Sequence, residues 1–209
     1  MTDSNVYVDD KVVSKEDFPA IIFNTNNANS KIFIKKPKRI TNITVTDKGK
    51  GGSTVNIGQR ANIIRHLHVN FTTNCTINIG DDCTIGTLEI LMDTPNTTVN
   101  IGNDCLIGYG VNIRSGDGHT IYDINSKLIL NNPDKQIVIG NHVWIGRNVS
   151  ILKNAVISSN TIVGMNSMVT KKFVNENCIL AGMPAKVVKE GVNWAMKPTF
   201  MYEDGYYSE

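Results

Sequence analysis

The stretch IVIGNHVWIGRNVSILKNAVISSNTIVGMNSMVTK, residues 137–171, repeats every six residues. Ile139, Ile145, Ile151, Ile157, Val163 and Val169 hold one register. Val143, Val149, Ala155, Thr161, Ser167 and Phe173 hold another, mostly small or β-branched. Gly140, Gly146 and Gly164 follow three of the aliphatic anchors. In an α-helix each residue turns by about 100°, so a step of six sends successive anchors to three different faces and no apolar stripe forms. A solenoid satisfies the pattern instead. Each unit supplies a short strand and a corner, three units close a triangular coil of 18 residues, and the aliphatic anchor points inward. Asn and Gly near the corners tolerate the positive φ angles that tight turns demand. Stacked coils then bury one continuous core. The pattern predicts an all-β chain folded as a left-handed parallel β-helix, an exception to the right-handed crossover rule.

Working outward, Asn56-Ile57-Gly58, Asn78-Ile79-Gly80 and Asn100-Ile101-Gly102 recur at intervals of 22 residues, read here as coils of 18 with a few residues bulging at a corner. From Ile101 to Ile139 the interval is 38, one coil plus about 20 residues, so residues near 115–135 are expected to protrude as a loop. Loops of that length in a compact repeat are more often functional than neutral. Residues 1–50 are less regular, although IFIKK and ITNITVT look like strands, and are taken as irregular first coils. The β-helix proper is expected over 51–190. The short C-terminal tail, 191–209, is rich in aromatics and is expected to pack on the flank of the helix or on a neighbouring subunit.

Composition narrows the function. Twenty-one basic side chains against 19 acidic ones give a near-balanced charge, which argues against nucleic acid as the main partner. No run of about 20 apolar residues is present, so no membrane span is expected. The N-terminus lacks a basic region followed by an apolar one, so no secretory signal is expected. Cys75, Cys83, Cys105 and Cys178 form no CxxC pair, which fits a reduced, cytoplasmic protein.

Residues 137–171, followed by AGMPAKVVK (181–189), resemble the hexapeptide-repeat acetyltransferases. The run RSGDGHTIYD (114–123), with GNHVWIGRNVSILK and AGMPAKVVKEGVNW, resembles more specifically the bacterial capsule O-acetyltransferases, especially those acting on sialic acid polymers. The resemblance is dense over 99–194 and weak before residue 55. It implies a homotrimer with active sites in clefts between subunits, the loop of one reaching toward its neighbour. It also implies acetyl-CoA as co-substrate, a saccharide acceptor and no metal.

Attack of a hydroxyl on a thioester needs a group that takes the proton, and imidazole, which titrates near neutrality, suits the task. His119, within Gly116-Asp117-Gly118-His119 of the predicted loop, matches the family's catalytic base. By the same resemblance Trp144 lies at the thioester, against the pantetheine arm, and a backbone N–H near Gly146-Arg147 receives the oxyanion. Gly164 is expected to border the pantetheine arm of CoA. Thr170, Lys171, Lys172, Lys186 and Lys189 are expected near its phosphates. Galactoside-type relatives carry an Asn before the loop where this chain offers Tyr109 and Gly110, which weakens any carry-over of galactoside or maltose as acceptor. Tyr109, Asp117 and Tyr122 are candidate acceptor contacts, and Asp117 or Tyr122 a candidate partner orienting His119. His66 and His68 alternate along a strand, but no third metal ligand stands at suitable spacing. His142 is expected at the surface beside a subunit interface. No cysteine falls in the loop beside His119, so direct transfer without an acetyl-cysteine is expected. Rival readings are an acetyltransferase for a small acceptor (a free sugar, nucleotide sugar or antibiotic), a metal-dependent β-helix hydratase and a passive solenoid.

Overall fold

A computed structural model describes residues 5–14, 16–25, 29–202 and 206–207; residues 1–4, 15, 26–28, 203–205 and 208–209, parts of the expected N-terminal coils and tail, lie outside the described residues. The described chain is a parallel β-solenoid of about seven turns with three faces, a left-handed β-helix with a protruding loop. On the first face, Lys31–Ile34, Thr54–Ile57, Thr76–Ile79, Thr98–Ile101, Gln136–Ile139, Val156–Ile157 and Lys172–Phe173 stack in parallel register. The second face stacks Arg39–Ile40, the first residues of Asn62–Phe71 and of Thr84–Met92, then Leu106–Ile107, Trp144–Ile145, Ile162–Val163 and Cys178–Gly182. Ala185–Glu190 closes that face by antiparallel pairing. The third face holds Ile21–Thr25, Ile43–Asp47, the later parts of the two long strands, Val111–Arg114, Ser150–Ile151 and Met168–Val169. Parallel pairing of Lys31–Ile34 with Thr54–Ile57 carries the solenoid through residue 50 without a break.

Both registers read from the sequence point inward. The anchors Ile139 to Val169 are at most 1% exposed, and Val143, Val149, Ala155 and Thr161 are fully buried. The corners turn through left-handed residues, Asn148, Asn154, Asn160 and Asn166 having φ of 57°, 68°, 58° and 57°. Asparagine tolerates that conformation because its short amide bonds locally. The four extra residues of each 22-residue coil do not bulge at a corner. They lengthen strands: Thr54–Ile57 has four residues where Val156–Ile157 has two, and Asn62–Phe71 runs through ten residues across two faces. A corner bulge would leave unpaired backbone groups, whereas longer strands pair every added residue with the coils above and below.

Val111–Arg114 ends, residues 115–135 leave the solenoid, and Gln136–Ile139 rejoins it. The loop is itself a small hairpin, bridged at Tyr122 and Ile129 and turned by Asp123, whose Oδ1 accepts the Asn125 and Ser126 N–H groups at 3.0 and 2.7 Å.

Candidate active site

His119 is exposed, and its backbone is held tightly while its ring is not. Asn131, on the returning limb of the loop, donates from Nδ2 to the His119 carbonyl at 2.8 Å and to Asp117 Oδ2 at 2.7 Å. Its Oδ1 accepts the Ile121 N–H at 2.9 Å. Lys153, from a corner of the next coil, donates to the same Asp117 carboxylate and to the Asn131 carbonyl. The Lys153 and Asn131 hydrogen bonds hold the Asp117 carboxyl below the usual carboxylate range, Lys153 being the larger cause. At the loop's root Arg114 Nε donates to Asp93 Oδ2 at 2.7 Å, while Gly118 turns at φ 74° beside the same guanidinium. The clamp ties both limbs of the loop to the solenoid. The imidazole of His119 has no hydrogen-bond partner among the described residues, so Asp117 fixes the backbone of His119 and does not orient its ring. Tyr122 does not reach that ring either; it lies under Lys127, whose Nζ is 5.5 Å from its ring centre.

Trp144 stands outward on the second face, 41% exposed, in line with Leu106 below and Ile162 above. The tail folds back onto this face. The Trp194 ring stacks on His142 at 4.4 Å, donates from Nε1 to the His142 carbonyl at 2.9 Å and lies 6.1 Å from the Trp144 ring. His142 sits between Asp104 Oδ2 at 2.6 Å and the Trp194 carbonyl at 3.1 Å. Trp194, Asn131 and Lys153 were not singled out by sequence reasoning; a lysine in a repeat corner carries no local mark that separates it from solvated surface. The Gly146 N–H is no oxyanion donor, because it donates to the Val163 carbonyl at 2.8 Å within the coil ladder. Gly146 nonetheless has to be glycine, since a Cβ there would sit 2.7 Å from the Met165 nitrogen. Gly164 is looser, its nearest neighbour being Ala181 Cβ at 3.4 Å.

The structure separates residues that sequence spacing grouped. Tyr109 occupies the corner between second and third faces, capped by the Arg147 guanidinium at 5.6 Å. Thr170 and Lys171 leave the corner between third and first faces, Lys171 over the Phe173 ring at 5.3 Å, and Lys172 pairs with Asp134 at 3.0 Å. Lys186 and Lys189 stand exposed on the strand that closes the second face, so the expected lysine cluster is split between faces. His119 and Trp144 likewise share no contact within one chain. His66 and His68 stack at 5.6 Å and engage Thr44 and Glu89, lining an open cleft of about 290 Å³ with Asn112. Burial pushes the His66 ring below its ordinary value, with His68 adding to the effect. Among the described residues no group of three His, Cys, Asp or Glu side chains is placed to hold a metal ion, and no helix is long and apolar enough to cross a membrane. All four cysteines are buried thiols.

Residues 136–171 match the family model described as bacterial transferase hexapeptide (six repeats). Two curated relatives are both polysialic acid O-acetyltransferases. The one from Escherichia coli O1:K1 / APEC is 41% identical over 162 residues, 78% of this chain and 44% of its own length. The one from Neisseria meningitidis is 38% identical over 139 residues, 66% of this chain and 64% of its own length. The chain thus spans less than two thirds of either relative. Among solved structures, the polySia-specific acetyltransferase NeuO superimposes with a TM-score of 0.72 at 28% identity, covering 96% of this chain and 94% of that one. The polysialic acid O-acetyltransferase OatWY superimposes at 0.60 and 29%, covering 88% and 90%.

Proposed function

We propose that this chain is a hexapeptide-repeat acetyltransferase that transfers the acetyl group of acetyl-CoA to a hydroxyl of a surface polysaccharide containing sialic acid. The observation that carries the reading is His119 itself: an exposed imidazole on a backbone pinned by Asn131, Asp117 and Lys153 at the edge of a hexapeptide solenoid. The acceptor class comes from the two relatives and two superimposed structures, all named for polysialic acid.

His119 takes the proton of the attacking hydroxyl as the C–O bond to the thioester carbonyl forms. The tetrahedral intermediate collapses, the C–S bond breaks, and the imidazolium returns its proton to the departing thiolate. The oxyanion needs a donor. With the Gly146 N–H committed to the coil, the Arg147 N–H takes that role. Trp144 and Gly164 border the pantetheine arm, and Thr170, Lys171, Lys186 and Lys189 meet the phosphates of CoA. Tyr109 contacts the acceptor. Because these groups lie on different faces, the reading places them in one cleft only across a subunit boundary, in a cyclic trimer. The apolar rim of the loop, with Ile124 76% and Leu128 65% exposed, supports a neighbour there. A cytoplasmic location follows from the need for acetyl-CoA.

Thiol release from acetyl-CoA tests the reading, with wild type and His119→Ala offered sialic acid polymers, neutral polysaccharides and small sugars. Release that needs the sialic acid polymer and disappears in the variant supports it. Undiminished release by a folded variant removes His119 as the base. Release only with small acceptors replaces the polymer reading.

A further inference from the structure

Charge is distributed unevenly along this near-neutral chain. Residues 31–65 hold nine basic side chains and one acidic one, against 21 and 19 for the whole. Four of the nine, Lys35, Lys36, Lys38 and Arg39, form a run broken only by Pro37, at the corner between the first and second faces in the lowest full coil. All four are exposed, and none forms an ion pair among the described residues. Arg60, one coil higher on the same corner, is by contrast bound to Asp82. Two acids adjoin the run: Asp9, whose carboxylate accepts the Lys36 N–H at 2.6 Å, and Asp10, which shares a small cleft with Lys35.

The register ties this run to the candidate active site. Arg39 pairs with Asn62, Asn62 with Thr84, Thr84 with Leu106, and Leu106 with Trp144, so all five stand in one outward column on the second face. Four strand spacings of roughly 4.8 Å put Arg39 about 19 Å below Trp144. Above Trp144 the column continues through Ile162 and Ile179 to Lys189. Below Trp144 the column passes from Leu106 to the polar Thr84 and Asn62 and ends on the basic Arg39, the side on which a saccharide would lie; above it Ile162 and Ile179 are apolar and Lys189 ends the column, the side on which a pantetheine arm and a phosphate would lie.

We propose that Lys35, Lys36, Lys38 and Arg39 are the foot of a track for a polyanionic saccharide, which runs up the second face to Trp144. The track rests on the acceptor reading above for the identity of its occupant. A single sugar cannot touch both ends of a 19 Å column. A chain of carboxylate-bearing sugars can, and each cation at the foot raises its local concentration at the reacting end. The device thus discriminates by length and charge.

The test compares wild type with the triple variant Lys35→Gln, Lys38→Gln, Arg39→Gln, keeping Lys36 because its φ of 36° constrains substitution. Binding of labelled polysialic acid is read by fluorescence anisotropy without acetyl-CoA, beside neutral dextran and anionic phosphatidylglycerol vesicles. Turnover is read with the polymer and with a sialic acid trisaccharide. The expected result is about tenfold weaker polymer binding at low salt, a gap that closes as salt screens the charges. Turnover on the polymer should fall about tenfold more than on the trisaccharide. Unchanged polymer binding overturns the track, as does an equal loss on both acceptors. Loss of vesicle binding with polymer binding intact would reassign the run to a membrane surface. If wild type acetylates no sialic acid polymer, the function reading falls, while the binding comparison still decides the track.

Discussion

The lower and upper coils of this solenoid stack in the same register yet have different cross-sections. In the lower coils a strand such as Thr54–Ile57 or Thr76–Ile79 sends two residues inward, and the third face sends three, Leu67, Val69 and Phe71. In the upper coils, from Trp144–Ile145 to Lys172–Phe173, each strand is two residues long and sends in one, such as Ile157 or Val163. The lower core accordingly holds Phe71, Leu88 and Met92, while around Ile151 the upper core is built of Val143, Ile145, Val149, Ala155 and Ile157, with the larger Phe173 and Leu180 only in the last coil. The loop that carries His119 leaves where the wide coils give way to the narrow ones, between Arg114 and Gln136. Wide coils thus supply breadth of outer surface, and narrow coils supply the short strand on which Trp144 stands and the tight corner that begins at Gly146. A β-helix can change width midway because each coil bonds only to its neighbours, so a strand may shorten once and the shortening propagates.

The comparison can be broken in four ways. The largest effect belongs to His119→Ala, which should lower acetyl transfer by about 10²- to 10⁴-fold with an unchanged circular dichroism spectrum and melting midpoint. A fall in midpoint would mean that the loop braces the junction and is not merely carried by it. Next come paired core truncations on the third face. Ile151→Ala in a narrow coil should cost about 4–5 kcal/mol and Ile90→Ala in a wide one about 2–3, read by urea unfolding. The flexible Met92 and the neighbouring Leu88 can partly fill the wide cavity, whereas the valines and alanine of the narrow coils cannot. Equal losses would mean that width has no bearing on packing.

A smaller effect is expected at the clamp. Lys153→Met should lower kcat about tenfold through a loosened His119, because small misplacements near the reacting atoms are costly, while KM for acetyl-CoA changes little. Asp117 supplies the matching pH dependence. Its carboxyl is held below the usual range by Lys153 and Asn131, so its contribution to loop order is fully present above about pH 4 and disappears as pH falls through the lowered value. Limited proteolysis of the loop should therefore begin only in more acidic buffer, and cleavage already at pH 5 would show that the clamp does not hold it. The smallest effect lies at a corner: Asn148→Ala should cost about 1 kcal/mol because of its φ of 57° and Asn148→Gly much less. Denaturant midpoints decide between them.

Much of the fold was legible because the upper coils repeat at six residues without interruption, so Ile139 to Val169 announce themselves as inward positions. The lower coils were legible as a repeat but not as a shape. A 22-residue interval states how much chain separates equivalent positions, and is silent on whether four residues bulge at a corner or lengthen two strands. His119 stood out as an imidazole in a predicted loop, and Trp144 as a large ring at a repeat position otherwise held by small or aliphatic residues. Asn131 and Lys153, which hold His119, lie 12 and 34 residues from it in sequence and follow no periodic pattern. Trp194 was visible only as part of an aromatic tail, with nothing to say that it would stack on His142.

By itself the sequence determined the period, the inward and outward assignment of residues, and the residue types able to move a proton or bind a phosphate, because these depend on spacing and side-chain chemistry alone. Only the tertiary structure decided which of those residues share a face. One coil sets residues 16 to 38 apart in register, and a three-sided helix sends residues six apart to different walls. That folding rule splits Lys171 from Lys189, parts His119 from Trp144, commits the Gly146 N–H to Val163, and stands Arg39 in line with Trp144.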